Sequence, residues 1–415
     1  MSENGNDNPD RREFLKGAVL GAAALGGVHL TFGNLGRALG ESVPQATPFN
    51  MVVLGDSIMW GQGLNDEQKF SYQVARWIGQ RLPGTEVRRH VLAHSGARIL
   101  KDVAEDAKPP LHEEVPSHFP SITKQLARFR TRPFANTGSG LPGAEAVSLV
   151  LLDGGINDFS TKTILTLDPT VGRSWIRAQT RQRCVARMKE LLPSVVDTFP
   201  NAKVVVTNYF QIVSEQSNMV IVWELLRFWN VVGAPLNAIS APLRKKLSDQ
   251  SLAFHQESTA GFREAVAEVS GRLQAIANAG DLPVPNANQP GRLEAVRPPP
   301  SRVVLAEVPF GPQNSYGAPD KYLFYMNEPD PAASERKPEC VAQTSEMSLE
   351  FPNCLVAAVG HPNVRGAEAY AGAITDKLQR FVPEWRAERG LPALVTLPVE
   401  LPPSPAPKPR RVRRP

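Results

Sequence analysis

Residues 51–57 read M-V-V-L-G-D-S, a short apolar run that ends in a Gly-Asp-Ser turn. The run predicts a buried β-strand, and the glycine at its carboxyl end allows a sharp turn of the backbone. Ser57 then lies where a loop opens toward a helix. Because open α/β sheets bind ligands outside the carboxyl ends of their strands, a serine in this position is placed for chemistry. A turn that merely caps the next helix explains the same three residues, so this turn alone leaves both interpretations open.

Strand and helix patterns alternate along most of the chain, which predicts a parallel sheet with helices on both faces. Residues 146–152 are apolar at nearly every position, as burial on both faces of a central strand requires. The pattern predicts one α/β domain over residues 48–382. Its predicted strands are residues 51–54, 87–93, 146–152, 202–207 and 303–308.

One segment departs from this alternation. Residues 218–280 are helical in pattern throughout and predict a helical insertion in the domain. Its aromatic residues Trp223, Phe228 and Trp229 suit a lid or an apolar wall over the serine, and packing of the insertion against the sheet explains them equally well. A proline-rich connector follows at 281–300, and residues 383–415 are a proline-rich basic tail whose composition predicts disorder.

The formal net charge of +5 belongs to the carboxyl terminus and not to the predicted domain. The acidic and basic residues of positions 1–40 balance, so the residues between leader and tail have no net formal charge. A basic face for nucleic acid has no support in this distribution, and nucleic acid is not an expected partner. The last eight residues supply the five cations, which are Lys408, Arg410, Arg411, Arg413 and Arg414.

Residues 1–40 resemble a twin-arginine export signal. Arg11 and Arg12 precede an apolar run rich in alanine and glycine at 17–32, which is shorter than the roughly 20 residues of a membrane span. Small residues at 38–40 offer a cleavage site, so the mature chain is expected to begin near Glu41 without a stable membrane span. An uncleaved leader that anchors the protein is the alternative. The predicted location is the periplasm or the extracellular space.

The three cysteines fit an exported protein. Cys340 and Cys354 bracket a short polar segment before His361, and a disulfide between them contributes about 3 kcal/mol by closing a loop of roughly 15 residues. Cys184 lies within a helical pattern and is predicted to be a buried free thiol. Three unpaired cysteines are the alternative.

Four motifs are predicted to meet at the carboxyl edge of the sheet. They are residues 55–57 (G-D-S), 94–97 (H-S-G-A) and 155–158 (G-I-N-D), together with 360–363 (G-H-P-N) before the last helix. With serine, glycine, asparagine and histidine in this order, the chain resembles the SGNH hydrolases, the GDSL esterase/lipase family, from residue 49 to about residue 380. The resemblance implies a flavodoxin-like three-layer α/β/α sandwich that hydrolyses carboxylic esters.

The chemistry of acyl transfer requires these residue types. It needs a nucleophile, a base, and donors aimed at the oxygen that becomes negative in the tetrahedral intermediate. The resemblance implies that Ser57 is the nucleophile and His361 the base. It also implies an oxyanion hole formed by the backbone N–H groups of Ser57 and Gly96 and by the side-chain amide of Asn157. Among the other histidines only His94 lies in a motif, and it is expected near the pocket.

One position departs from the family pattern. Family members usually carry an aspartate three residues before the histidine, where this chain has Ala358. Three explanations remain open: a Ser-His dyad whose imidazole is oriented by a backbone carbonyl, an acid supplied from elsewhere, or an inactive protein. Asp56 and Asp158 are the nearest candidates for a relocated acid. Stabilisation of its own turn is the alternative role for each of them.

The expected substrate is a small-molecule, lipid or carbohydrate ester. The predicted function is an exported serine esterase or lipase, and the alternatives are a carbohydrate acetylesterase and an inactive SGNH-fold binding protein. No cofactor is expected, because the sequence lacks a metal-ligand cluster and a phosphate-binding loop: Gly61 and Gly63 lack the third glycine of a dinucleotide-binding motif and the lysine of a P-loop.

Overall fold

The computed structural model describes residues 47–99, 104, 108–109, 111–130, 141–228, 241–280, 301–326, 328–343 and 350–393. Five parallel strands of these residues form one sheet in the order β2-β1-β3-β4-β5. This order is that of flavodoxin-like doubly wound folds, so the predicted fold class is confirmed. The strands are β1 Phe49–Leu54, β2 Val87–Val91, β3 Val147–Leu152, β4 Lys203–Thr207 and β5 Val303–Ala306.

The helices surround this sheet and include a π-helical segment, Thr180–Val185, within one long helical stretch. The α-helices are α1 Ser57–Trp60, α2 Phe70–Arg81, α3 Ile122–Arg130, α4 Ile156–Phe159, α5 Thr161–Ile164, α6 Arg173–Gln179, α7 Ala186–Thr198, α8 Met219–Phe228, α9 Ala241–Gly280, α10 Ala333–Gln343, α11 Glu350–Leu355, α12 Val364–Leu378 and α13 Val382–Ala387.

The sheet has helices on both faces because its strand order reverses at β1. Parallel crossovers are right-handed, so the connection from β1 to β2 and the connection from β2 to β3 run on opposite faces. Helices α2 and α12 pack together on one face, where the rings of Phe70 and Tyr370 stack with centroids 5.1 Å apart. Helices α3, α7 and α9 cover the other face. The central strands β1 and β3 are buried along almost their whole length, as their apolar sequences predict.

The strand order also fixes where a site is expected. Strand β1 pairs with β2 on one side and β3 on the other, and the chain reverses direction across the sheet between them. The crevice outside the carboxyl ends of strands at such a switch point is the common ligand site of these folds. Ser57 follows β1, and Asn157 follows β3. Both residues therefore lie at the switch point.

The predicted helical insertion forms helices α8 and α9. Helix α9 packs on the sheet face, where its Phe254 and Phe262 contact Tyr209 with ring centroids 5.6 and 6.0 Å apart. Trp223 of α8 is only 2% exposed and therefore belongs to the core. Trp229 and the side chain of Phe228 lie outside the described residues. The contacts of α9 therefore agree with the alternative in which the insertion packs against the sheet.

The packed body continues past residue 382, the boundary predicted from the sequence. Trp385 of α13 is buried and meets Phe49 of β1 edge to face, with ring centroids 5.0 Å apart. The leader at 1–40, the connector at 281–300 and the tail from 394 onward lie outside the described residues. None of the described helices is long and apolar enough to span a membrane.

Candidate active site

Ser57 is the first residue of α1, directly after the turn that ends β1. Asp56 caps this short helix, since its Oδ1 accepts the Ile58 N–H at 2.9 Å. Gly55 is packed so closely that a Cβ there would collide with the Asp153 carboxylate. The Gln125 amide clamps Gly55 from the other side, accepting its N–H at 2.9 Å and donating to its carbonyl at 3.0 Å. The turn that presents Ser57 is therefore held from both sides.

Two buried carboxyl groups lie beneath this turn. Asp153 Oδ1 accepts the Asp56 N–H at 2.9 Å, and the Tyr209 hydroxyl donates to Asp56 Oδ2 at 2.8 Å. Burial raises the pKa of Asp56 to about 6, against hydrogen bonds from Ile58 and Tyr209 that lower it. Burial and the charge of Asp56 raise the pKa of Asp153 well above its usual value. Burial therefore favours the protonated form of Asp153, which limits the buried negative charge.

His361 is brought to Ser57 by the loop that precedes α12. Its Nε2 lies 2.7 Å from Ser57 Oγ, although 304 positions separate the two residues in the chain. The loop is anchored by backbone bonds with Phe324, which donates to the His361 carbonyl and accepts the Gly360 N–H, both at 2.9 Å. Asn363 then caps α12 by accepting the Gly366 N–H at 3.1 Å. Anchors on both sides of the histidine fix the position of its ring.

The other ring nitrogen of His361 faces the backbone. Its Nδ1 is buried and has no hydrogen-bond partner within the described part of the chain. Burial lowers the pKa of His361 to about 4, while the carbonyls of Ala358, Val359 and Ala357 act in the opposite direction and raise it. The imidazole is therefore neutral near pH 7, and its surroundings stabilise a ring proton through carbonyl oxygens.

Neither acid that the sequence offered reaches this nitrogen. Asp158 Oδ2 accepts the Ile99 N–H at 2.9 Å and so braces the neighbouring loop, not only its own turn. Asp56 is bonded to Ile58 and Tyr209 as described above. The relocated-acid alternative is therefore wrong for both residues in this structure.

The donors predicted for the oxyanion hole lie around the same cleft. Ser57, Gly96, Asn157 and His361 all line a cavity of about 410 Å³. The Ser57 N–H, at the first position of a helix, has no intrahelical acceptor. Asn157 Nδ2 donates one hydrogen to the Ala97 carbonyl at 3.0 Å, and its second hydrogen remains for a ligand.

Gly96 is required for this geometry. Its φ is +78°, and a Cβ at this position would lie 2.8 Å from the backbone nitrogen and oxygen of Ser117. A side chain here meets backbone atoms that cannot move aside, so glycine lets residue 96 approach the segment that carries Ser117.

The cleft also contains residues that the sequence did not indicate. Arg98, His118 and Lys162 line it, and none of them belongs to a motif. His118 lines the cleft, whereas His94, which was expected near the pocket, is only 1% exposed and is not part of the lining. The ring of His94 is bonded to two backbone carbonyls, Nδ1 to Ser95 at 2.9 Å and Nε2 to Leu111 at 3.2 Å. The prediction that His94 lies at the pocket wall is therefore wrong.

One wall of the cleft is tied to a buried network. A disulfide joins Cys340 of α10 to Cys354 of α11, with their Cα atoms 5.8 Å apart. Arg336 of α10 is fully buried and pairs with Glu114 at 3.2 Å and Asp330 at 2.5 Å. Its guanidinium also donates to the Leu355 carbonyl at 3.1 Å. These contacts fix α11, which leads into the residues 356–361 that line the cleft.

The third cysteine, Cys184, is not part of the disulfide. Cys184 is a buried free thiol, and burial raises its pKa well above the usual value. Among the residues that the structure describes, no three or more histidine, cysteine or acidic side chains are grouped to hold a metal ion.

No protein-family model and no curated protein matches this sequence. The structure is similar to an extracellular lipase from Streptomyces rimosus, at 14% identity and a TM-score of 0.40, over 79% of this chain and 99% of that one. It is similar to phospholipase A1 from Streptomyces albidoflavus NA297, at 13% identity and a TM-score of 0.40, over 80% and 99% of the two chains.

A third similar structure is a carbohydrate esterase family 2 enzyme with a carbohydrate-binding domain from Corynascus thermopiles (Myceliophthora fergusii). Here the identity is 15% and the TM-score 0.36, over 82% of this chain and 68% of that one. Likenesses at these TM-scores carry no conclusion about function, which is inferred below from the geometry of the site.

Proposed function

We propose that this protein is a serine esterase of the SGNH type that hydrolyses carboxylic esters through an acyl-Ser57 intermediate. The observation that carries the proposal is the 2.7 Å contact between His361 Nε2 and Ser57 Oγ, at the wall of a cleft that Gly96 and Asn157 also line. A nucleophile, a base and oxyanion donors are the three requirements of acyl transfer, and all three converge here.

In the first half of the proposed reaction, neutral His361 accepts the Ser57 Oγ proton at Nε2. Oγ forms a bond to the ester carbonyl carbon, and the carbonyl electron pair moves onto its oxygen. The N–H groups of Ser57, Gly96 and the Asn157 amide donate to that oxyanion. The imidazolium then gives its proton to the alkoxy oxygen as the carbon–oxygen bond breaks, which releases the alcohol and leaves the acyl group on Ser57.

In the second half, water takes the place of the alcohol. His361 removes a proton from the water, whose oxygen attacks the acyl carbon, and the same donors hold the second oxyanion. Collapse of that intermediate breaks the bond to Oγ. Ser57 recovers its proton from His361, and the carboxylic acid leaves.

The proposed catalytic unit is a dyad and not a triad. The imidazolium formed in each half is stabilised by the backbone carbonyls of Ala357, Ala358 and Val359, since these raise the pKa of the ring. These carbonyl oxygens lack the full charge of a carboxylate and form no hydrogen bond with Nδ1 in this structure, so they stabilise the imidazolium through the field of their dipoles. Ala358 is therefore compatible with activity, which favours the esterase over the inactive alternative.

The apolar part of the cleft favours an acyl chain. Its lining includes Phe210, Ile212 and Leu225, together with Val356 and Val359 next to His361. Apolar walls with a few convergent polar groups are typical of sites that bind small organic ligands. Trp223 is buried in the core, so it offers no surface for a sugar ring. We therefore favour an aliphatic ester over a carbohydrate acetyl ester.

Export is proposed on two observations, the Arg11-Arg12 leader and the disulfide between Cys340 and Cys354. Disulfides persist in oxidising compartments, which the periplasm and the extracellular space are. Replacing Arg11 and Arg12 together by lysine should retain the protein inside the producing cell. Equal amounts of both forms outside the cytoplasm would refute twin-arginine export.

The esterase proposal is tested with p-nitrophenyl esters of increasing chain length. Wild type should turn over butyrate and longer esters, Ser57→Ala should not, and Asn157→Ala should lose about 10² to 10³ in kcat by removal of one oxyanion donor. Ser174→Ala and Asn201→Ala are matched controls, since both residues are exposed on helical or turn surfaces away from the cleft lining.

A covalent probe separates chemistry from background hydrolysis. Diethyl p-nitrophenyl phosphate should add one diethylphosphoryl group to wild type and none to Ser57→Ala, as read by intact mass. If wild type is no faster than Ser57→Ala at every chain length and takes up no phosphoryl group, the protein is not a serine esterase.

A further inference from the structure

The cleft beside Ser57 carries cations and no described acid. The cations are Arg98 and Lys162, with Lys108 in an adjoining cavity of about 540 Å³, and His118 lines both cavities. The two cavities share Gly96 and Asn157 in their walls and are therefore neighbours at the proposed oxyanion hole. Among the described residues that line either cavity, none is aspartate or glutamate.

These cations lack the partners that cations have elsewhere in the protein. Arg336 is paired with two carboxylates, and Arg263 forms a bidentate pair with Glu307 at 2.6 and 2.5 Å. In the described part of the chain, no carboxylate forms an ion pair with Arg98, Lys108 or Lys162. Among the described residues that line the two cavities, positive charge is therefore in excess.

Arg98 is the most constrained member of this group. Its side chain is partly buried, and Nη2 is bonded to His118 Nε2 at 3.1 Å. Its Nε is buried and has no acceptor among the described residues. A guanidinium has five N–H donors, so this one keeps donors for a ligand after its bond to the histidine. The bond also requires His118 to be neutral and to accept, which places the proton on its other nitrogen.

A generally basic protein surface does not explain why cations lie at the cleft. The residues between leader and tail have no net formal charge, so the cations of the cleft are balanced by acids located elsewhere. Arg98 lies in the loop after Gly96, and Lys162 lies in α5 just after Asn157. Both therefore flank the groups proposed to hold the oxyanion.

We infer that the substrate is an ester whose alcohol portion carries a small anionic group, a carboxylate or a phosphate, which Arg98 and Lys162 bind. This inference rests on the proposed esterase function. The apolar residues of the cleft account for the acyl chain, so the charged group belongs to the alcohol. Arginine binds carboxylate and phosphate through parallel N–H bonds, and a cleft with low-dielectric walls strengthens the attraction.

The test compares three butyrate esters that differ only in the charge of the alcohol: the esters of glycerol, of glyceric acid and of glycerol phosphate. At low ionic strength, wild type should hydrolyse an anionic ester about 10-fold faster than the neutral one in kcat/KM. The ratio should fall in 0.5 M NaCl because salt screens the attraction. The ratio between the two anionic esters distinguishes carboxylate from phosphate recognition.

Two variants assign the effect to the cleft. Lys162→Met and Arg98→Gln should each lower the ratio of anionic to neutral ester several-fold. Lys162 is exposed, so its replacement should not affect folding. Lys245→Met removes one charge from a lysine that is 75% exposed and does not line either cavity, and it should keep the wild-type ratio.

The outcomes separate this inference from the proposed function. If wild type hydrolyses glycerol butyrate and Ser57→Ala does not, but the three esters react equally, anion recognition is refuted and the esterase stands. If no ester reacts, the esterase fails, and calorimetric titration with glycerol phosphate and with glycerate decides the anion site. Binding that Lys162→Met weakens supports the site, and absence of binding at millimolar ligand overturns it.

Discussion

The depressed pKa of His361 predicts that the proposed esterase keeps its activity in acid. Burial lowers this pKa from 6.5 to about 4. At pH 5 an imidazole of pKa 4 is about 90% neutral, whereas one of pKa 6.5 is about 3% neutral. Because only the neutral ring accepts the Ser57 proton, kcat/KM at pH 5 should remain near its pH 7 value and exceed the value for an unperturbed histidine by about 30-fold.

The measurement is kcat/KM for an uncharged ester between pH 3.5 and 8, with release of the acid followed directly. The acid limb should have its midpoint close to pH 4. A midpoint near 6.5 with the fold intact would refute the burial argument for His361. A midpoint near 6 would indicate titration of Asp56, whose pKa is about 6, and not of His361. Asp56→Asn should abolish that limb if Asp56 causes it and leave the limb of His361 in place.

Stability must be followed over the same range, because two groups act in opposite directions. As pH falls from 6.5 to 4, the unfolded chain protonates His361 before the folded chain does, which destabilises the fold. As pH falls from 6 to 3.8, the folded chain protonates Asp56 before the unfolded chain does, which stabilises it. These two effects oppose each other, and Asp153, whose pKa burial also raises, acts in the same direction as Asp56, so the fold should survive the acid part of the profile.

The remaining predictions concern the scaffold of the cleft. Arg336→Met should lower the free energy of unfolding by about 3 to 5 kcal/mol, since it leaves Glu114 and Asp330 buried without their cation. The exposed pair of Arg263 with Glu307 is the matched control, and Arg263→Met should lower the free energy of unfolding by at most about 1 kcal/mol. Equal losses for the two variants in urea unfolding would contradict the stabilising role of the buried network. Replacing Cys340 and Cys354 together by serine should lower stability by about 3 kcal/mol, given a sequence separation of 14, and reduce kcat because α11 leads into the cleft wall. A melting temperature that reductant leaves unchanged in wild type would contradict it, and alkylation of the denatured but unreduced chain should label Cys184 alone.

The sequence contained the information for the strands and for the turns that follow them. Strand β1 and strand β3 are apolar at successive positions, and such a run has few alternatives to burial between two helical layers. The conformational demand at Gly96 is likewise local, because a left-handed φ excludes most other residues whatever surrounds it. Motifs of this kind made Ser57, Gly96, Asn157 and His361 recognisable before any contact was known.

For the helical insertion, the local sequence pattern was not sufficient to predict how the helices pack. The helical period of residues 218–280 predicted helices, and α8 and α9 are observed. A helix period does not say which partner its apolar face meets, so a lid and a covering helix were equally compatible with it. Only the packing of Phe254 and Phe262 on Tyr209 distinguished them for α9.

The electrostatic character of the site was decided by tertiary structure. What surrounds Nδ1 of His361 depends on how the backbone of 357–359 folds around the ring, and no sequence period encodes such a loop path. The pairing of Arg336 with Glu114 spans 222 positions, and Arg98 and Lys162 join the cleft from a loop and from α5, both outside the motifs. The sequence by itself thus determined the strands and the turns, because local sterics and periodic burial fix these, and its resemblance to a known family indicated Ser57, Gly96, Asn157 and His361. The tertiary structure alone decided the protonation of the base and the charge around the nucleophile, because both depend on which distant groups converge in a buried, low-dielectric space.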